Sequence, residues 1–252
     1  MRSNRHLLRK SQEVDYTHNK SSPPRDGKGG TKMCYHVVVD LEMCKVPKSN
    51  RTRDYKWADE TIQIGAVLLN DNYEIIDKFN TLVLPELGHI DGYIKNFTGI
   101  DNKDVAEAPK MAEAVKMFTD WIPEGDIEMV SWSMSDANQF RHELIGKGIE
   151  NSRMEELLEN WNDCQETFSE KLESDRSYNL GEALVIADII QEGKAHDGLY
   201  DAYNTALLFV KMETEPEFKL NSIFENARND EVEHLSSSLG DLFKGLDLQL
   251  AS

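Results

Sequence analysis

Val37-Val38-Val39-Asp40-Leu41-Glu42 decides how this chain is read, because an apolar, β-branched run closes on two acids one residue apart. The run from Tyr35 to Val39 reads as a buried strand. Strand side chains alternate between faces, so positions i and i+2 point the same way, and Asp40 and Glu42 project together from its end. Two like charges held so close are unfavourable unless a cation lies between them. The plainer reading is a strand that surfaces here and lets its acids meet water.

Outward from this strand, residues 61–69 and 74–84 read as two more. The stretch Asn70-Asp71-Asn72-Tyr73 between them suits the turn of an antiparallel hairpin. After the turn-rich Thr98-Gly99-Ile100 and Ala108-Pro109, Met111, Val115, Phe118 and Ile122 recur at helical spacing up to Pro123. Residues 127–132 then predict a strand, and 136–145, 180–190 and 200–212 predict helices. Strands that arrive first and then alternate with helices point to a mixed sheet flanked by helices, in the α/β class.

The periodic region spans 33–212, long enough to bury a substantial core. Residues 1–32 carry eight Lys and Arg against three acids and show no hydrophobic period, which predicts a flexible basic arm. Residues 213–252 reverse the balance, with nine acids against three bases, and predict an acidic tail. Leu239, Leu242, Phe243 and Leu246 could give that tail one apolar helical face for a partner protein, although Gly240 and Gly245 oppose a stable helix.

Three cysteines without a CxxC pair argue against structural zinc and a disulfide framework, and suit a reducing cytoplasm. No run approaches the roughly 18 apolar residues of a membrane span, and no secretory leader or membrane association is expected. The net charge of −18 disfavours tight non-specific binding to duplexes. It is no obstacle to a phosphate substrate if the acids surround cations, which reverse the local field. The best-placed bases for steering phosphates are Lys45, Lys48, Arg51, Arg53 and Lys56, against the single acid Asp54 in that stretch; a solvated loop is the plainer reading.

Two further stations carry acids. Ser131-Trp132-Ser133-Met134-Ser135-Asp136 leads from a strand into a helix, and His196-Asp197-Gly198-Leu199-Tyr200-Asp201-Ala202 opens the last long helix. Taken singly, Asp136 and Asp201 read as helix caps and His196 as a loop histidine.

Taken together, the three stations resemble the DEDDh 3′ to 5′ exonucleases. Asp40-Leu41-Glu42 matches that family's first motif, Asp136 its second, and His196 with Asp201 at His-x4-Asp its third. Glu60-Thr61-Ile62-Gln63-Ile64-Gly65-Ala66, Phe97-Thr98-Gly99-Ile100 and Asp201-Ala202-Tyr203-Asn204-Thr205-Ala206 support the match, which covers roughly 34–212. The cysteine soon after Glu42 and the insert before Glu60 look most like the Eri-1 and KapD group. Tyr200 before Asp201 and Ser133 after Trp132 depart from frequent family residues.

The resemblance implies an RNase H-like, five-stranded mixed sheet and hydrolysis of phosphodiesters at the 3′ ends of single-stranded RNA or DNA, RNA slightly favoured. It implies two Mg²⁺ or Mn²⁺ held by Asp40, Glu42, Asp136 and Asp201, with Asp40 shared between them and His196 as general base. Met43, Cys44, Phe97 and Thr98 would contact the terminal nucleotide. The competing expectations are a proofreading subunit bound to a polymerase and a non-catalytic binding module that keeps the fold.

Overall fold

In the structure, a computed structural model that describes residues 33–225, the elements follow in the order β1 (Cys34–Lys45), β2 (Asp59–Leu69), β3 (Ile75–Leu82), α1 (Gly92–Thr98), α2 (Met111–Trp121), β4 (Asp126–Ser131), α3 (Ser135–Lys147), α4 (Ser152–Leu157), β5 (Trp161–Asp163), α5 (Cys164–Lys171), α6 (Leu180–Ile186) and α7 (Gly198–Thr214). The strands form one sheet in the order β3-β2-β1-β4-β5, antiparallel across β3, β2 and β1 and parallel across β1, β4 and β5. This is the expected mixed α/β, RNase H-like architecture of five strands flanked by helices. The basic arm and the apolar face at 239–246 lie outside the described residues.

Alternation along β1 assigns its side chains to two cores. Val37, Val39 and Leu41 join Ile64 and Ala66 under α2, α3 and α4, packing with Met111, Phe118, Phe140 and Met154. Val38 turns the other way, with Val67 and Val130, onto Phe168, Leu184, Ala206 and Phe209 of α5, α6 and α7. Because β1 is covered on both faces, its sequence is a continuous apolar run instead of an alternating one. Asp40 and Glu42 share the parity of Val38, the side on which α7 packs.

Several details differ from the sequence expectations. The strand after 37–39 does not end at the acids but continues to Lys45, through a register shift between Glu42 and Met43. The helix expected over 180–190 stops at Ile186. Packing also continues past the boundary expected at 212: Phe218, Leu220 and Phe224 lie against the core beneath α7, and the Asn221 amide donates to the Ile186 carbonyl at 2.7 Å.

A buried ion cluster joins α3 to the sheet. The Lys147 ammonium lies 2.7 Å from both Glu60 of β2 and Glu143 of its own helix, and both carboxylates are fully buried. Glu143 also accepts the Thr61 amide, and Glu60 accepts those of Glu86, Leu87 and Gly88. Removing the cation would strand two charges without solvent. Lys147→Met is therefore expected to destabilise the fold by about 3–5 kcal/mol, read as a lower urea midpoint at unchanged slope.

Candidate active site

The site forms where β1 outruns its parallel neighbour. Pairing with β4 ends at Val38 opposite Val130, leaving the β1 backbone beyond it without a strand on that side. The amide of Leu41 instead donates to Asp136 Oδ1 at 3.0 Å. Asp136 sits in the first turn of α3, whose cap is Met134, and its buried carboxylate accepts from β1 as well as from its own amide and the Ser135 hydroxyl. This sets aside the capping reading and brings the second acidic station onto the first.

The third station arrives through close packing at the start of α7. Gly65 of β2 and Gly198 approach so closely that a Cβ at 65 would lie 2.2 Å from the Gly198 backbone. Gln63 fixes the same turn, accepting the Gly198 amide at 3.0 Å while its own amide reaches Asn80 and Asp197. Asp197, not Asp201, caps the helix, accepting from Leu199. Asp201 is freed for the cleft, where it accepts the His196 amide at 2.7 Å. His196 adopts a left-handed backbone, φ +62°, which a non-glycine residue holds only when its surroundings enforce it. Ligand atoms of Glu42, His196 and Asp201 all lie within 4.8 Å of one another.

The electrostatics of the cluster are unfavourable in the absence of cations. Burial, followed by the charges of Asp136, Glu42, Asp201 and Asp197, holds the Asp40 carboxyl well above the usual range. Burial pushes Glu42 up to about 8, with Asp201, Asp197 and Asp136 adding to it and Lys194 opposing. Asp136 rises to about 7, mainly through burial and despite the Leu41 amide, and Asp201 to about 6 by burial, opposed by the His196 amide. Burial, aided by Lys194, lowers His196 below its ordinary value, which keeps the ring neutral and able to accept a proton near pH 7. Groups of oxygen acids that resist ionisation together suit hard divalent cations such as Mg²⁺ or Mn²⁺.

A cleft of about 530 Å³ opens beside Glu42. Met43 and Phe97 line it, and Phe97 stacks on His196 with ring centroids 3.5 Å apart. Two expected nucleotide contacts are corrected. Cys44, beyond the register shift, is buried with Ile62, Ile90 and Ile94 in a separate small core. The buried Thr98 hydroxyl donates to the Ile94 carbonyl and accepts the Ile100 amide, closing the end of α1. Neither side chain offers surface to a ligand. The sequence reading also missed Asp197, the fifth acid, although it adjoins His196 in the quoted motif, and Tyr93 and His142 on the cleft walls.

Several known proteins are similar to this chain. A family model described as Exonuclease (RNase_T) matches residues 37–209. The chain is 27% identical over 200 residues to the 3′-5′ exonuclease Snipper of Drosophila melanogaster, covering 71% of this chain and 69% of that protein. It is 28% identical over 178 residues to a PolC-type DNA polymerase III of Caldanaerobacter subterraneus, covering 70% of this chain but 11% of the polymerase. Among solved structures, the nuclease domain of 3′hExo, a DEDDh family member bound to rAMP, superposes with a TM-score of 0.61 at 20% identity, over 77% of this chain and 99% of that one. Cell-death related nuclease 4 gives a TM-score of 0.61 at 19% identity, over 75% and 68%. With its acidic motifs brought to the end of β1 and the family model running from within β1 to within α7, the chain belongs to the RNase_T exonuclease family of phosphodiester-cleaving nucleases.

Proposed function

We propose that this nuclease is a 3′ to 5′ exonuclease releasing nucleoside 5′-monophosphates from single-stranded ends, with RNA slightly favoured over DNA. The observation that carries the reading is that ligand atoms of Glu42, His196 and Asp201 lie within 4.8 Å of one another, while the charges of Asp136, Glu42 and Asp201 all act on the Asp40 carboxyl. The polarity is supported by the relative named as a 3′-5′ exonuclease, and the RNA preference by the rAMP in the 3′hExo domain.

The four carboxylates would hold two Mg²⁺ or Mn²⁺, Asp40 being shared. When bound, these cations polarise the phosphate and offset the charge that develops on it. His196 takes the proton from the attacking water. As the oxygen of that water joins phosphorus, the bond to the 3′ oxygen of the penultimate nucleotide breaks, and that oxygen regains a proton from solvent. Phe97 holds the His196 ring by stacking and, with Met43, lines the cleft for the terminal nucleotide.

End-labelled RNA and DNA strands incubated with Mg²⁺, Mn²⁺ or EDTA test this reading. Expected is a ladder shortening from the 3′ end, faster on RNA and abolished by EDTA; internal cuts or activity in EDTA would contradict it. Gly65→Ala is expected to displace the start of α7 and reduce turnover roughly 100-fold, since misplacements near 1 Å have effects of that size. Wild-type turnover in a folded Gly65→Ala protein would refute the packing argument.

A second reading has its own support. The PolC-type relatives suggest a proofreading role alongside a polymerase. Co-purification with a polymerase, together with preferential removal of mismatched DNA ends, would favour it.

A further inference from the structure

The cleft has lining residues beyond those assigned to the terminal nucleotide. Along α3, Ser135, Asn138, Gln139 and His142 line it at i, i+3, i+4 and i+7, a single polar stripe of two helical turns. That stripe starts beside Asp136 and runs about 10 Å away from it, taking 1.5 Å per residue. Its far end lies over the start of β2: Gln139 donates to the Asp59 carbonyl and Glu143 accepts the Thr61 amide. Residues of α1 line the same cleft, where Tyr93 and Phe97 stack one turn apart, with centroids at 5.6 Å and planes at 16°. Tyr93 is 69% exposed, yet the mechanism above assigns it no role.

His142 is braced from behind. Trp57 stacks on its ring at 4.5 Å and 18°. Trp57 in turn stands against Gly146, where an added Cβ would come within 2.8 Å of it, and edge-on to the buried Tyr55. The Tyr55 hydroxyl is fixed on the Asp59 carbonyl at 2.6 Å. The insert between β1 and β2 thus holds an imidazole face in place, while Lys45 from the end of β1 puts an ammonium into the same cleft beside Asp59.

An exposed ring, a braced ring, an amide and an ammonium lining one cleft make a surface for a base and its phosphate. We infer that Tyr93, Asn138, His142 and Lys45 form a second subsite that receives the penultimate nucleotide of a single strand, with Trp57 as the positioning residue for His142. This rests on the exonuclease reading of the acidic cluster. Tyr93 and His142 contact the base, and Lys45 exchanges Asp59 for the phosphate. A strand whose last two nucleotides are paired cannot present its bases to these rings, so the subsite selects unpaired ends.

The test compares two substrates in Mn²⁺: a five-nucleotide single strand, and thymidine 5′-(p-nitrophenyl phosphate), in which nitrophenol replaces the second nucleotide. Tyr93→Ala and His142→Ala are each expected to lower kcat/KM on the oligonucleotide roughly 10-fold or more, mainly through KM. Their effect on the nitrophenyl ester should stay below about twofold, since nitrophenol carries neither the base nor the 5′-phosphate that the subsite would hold. Tyr93→Phe and His142→Phe keep a ring and should restore most of the loss. Trp57→Ala should follow His142→Ala on the oligonucleotide alone. Equal losses on both substrates, or none on the oligonucleotide, would overturn the subsite while leaving the nuclease intact. A wild-type protein that hydrolyses neither substrate would instead refute the exonuclease reading, and the subsite with it. Tyr93 is exposed enough that its variants keep the fold, so the comparison stands even if a change at His142 unfolds the chain.

Discussion

His196→Ala is expected to lower kcat by about 10²–10⁴-fold while Mn²⁺ affinity and KM change by no more than a few-fold. The reason is division of labour around one turn. The His196 amide serves Asp201, whereas its ring is free to take a proton from water. Alanine at 196 retains the amide, so Asp201 keeps its hydrogen bond and the acidic cluster its shape. The stacking on Phe97 is lost, but Phe97 still leans on Tyr93. Titration of Mn²⁺ by calorimetry, beside single-turnover rates, separates the two effects. Equal loss of cation binding and turnover would make His196 a ligand instead of a base.

Asp40→Asn is expected to abolish turnover by at least about 10³-fold and yet raise the melting temperature of the cation-free protein at pH 8 by roughly 3–10 °C. The sign follows from the raised carboxylates. Glu42 moves from 4.5 to about 8, Asp136 from 3.8 to about 7 and Asp201 from 3.8 to about 6. A group with a raised folded value favours the fold fully below its unfolded value and loses that contribution as pH climbs to the folded value. In EDTA the wild type should therefore lose stability between about pH 4 and 8, a loss that Mg²⁺ or Mn²⁺ reverses. Asparagine at 40 removes one of the repelling charges and flattens the dependence. An Asp40→Asn protein that melts lower than wild type in EDTA would show that the carboxylates are not in conflict.

The parts of this architecture that were legible in the sequence are those with a strong local period. The run 37–42 could be read because a strand buried on both faces must be apolar throughout, and α2 because Met111, Val115 and Phe118 repeat on one face. The strand Trp161–Asp163 could not, since three half-buried residues carry no period. The seven-residue α1 was hidden among turn signals; its cap Asp91 and the left-handed Gly99 are visible only once its hydrogen bonds are known. The stretch beyond Met212 looked like a tail because its acids outweigh Phe218, Leu220 and Phe224, whose burial depends on distant helices.

At the site, the three acidic stations were legible through their pattern, but their individual duties were not. Asp197 and Asp201 are equally plausible caps in one dimension, and only the approach of Gly65 to Gly198 decides which one caps. Cys44 and Thr98 were placed at the cleft by the family resemblance, which carries no information on this chain's register shift or helix end. His142 and Tyr93 escaped notice because the cleft they line draws on two helices distant in sequence, and neither helix signals the other.

The central claim is that Asp40, Glu42, Asp136 and Asp201 form a cradle for divalent cations. Crystals grown with Mn²⁺ and a nucleoside 5′-monophosphate, measured at a wavelength where manganese scatters anomalously, test it directly. The account predicts two anomalous peaks among these four carboxylates, with Asp40 touching both and His196 beside them. Full occupancy of manganese elsewhere, with none at the four acids, would contradict it.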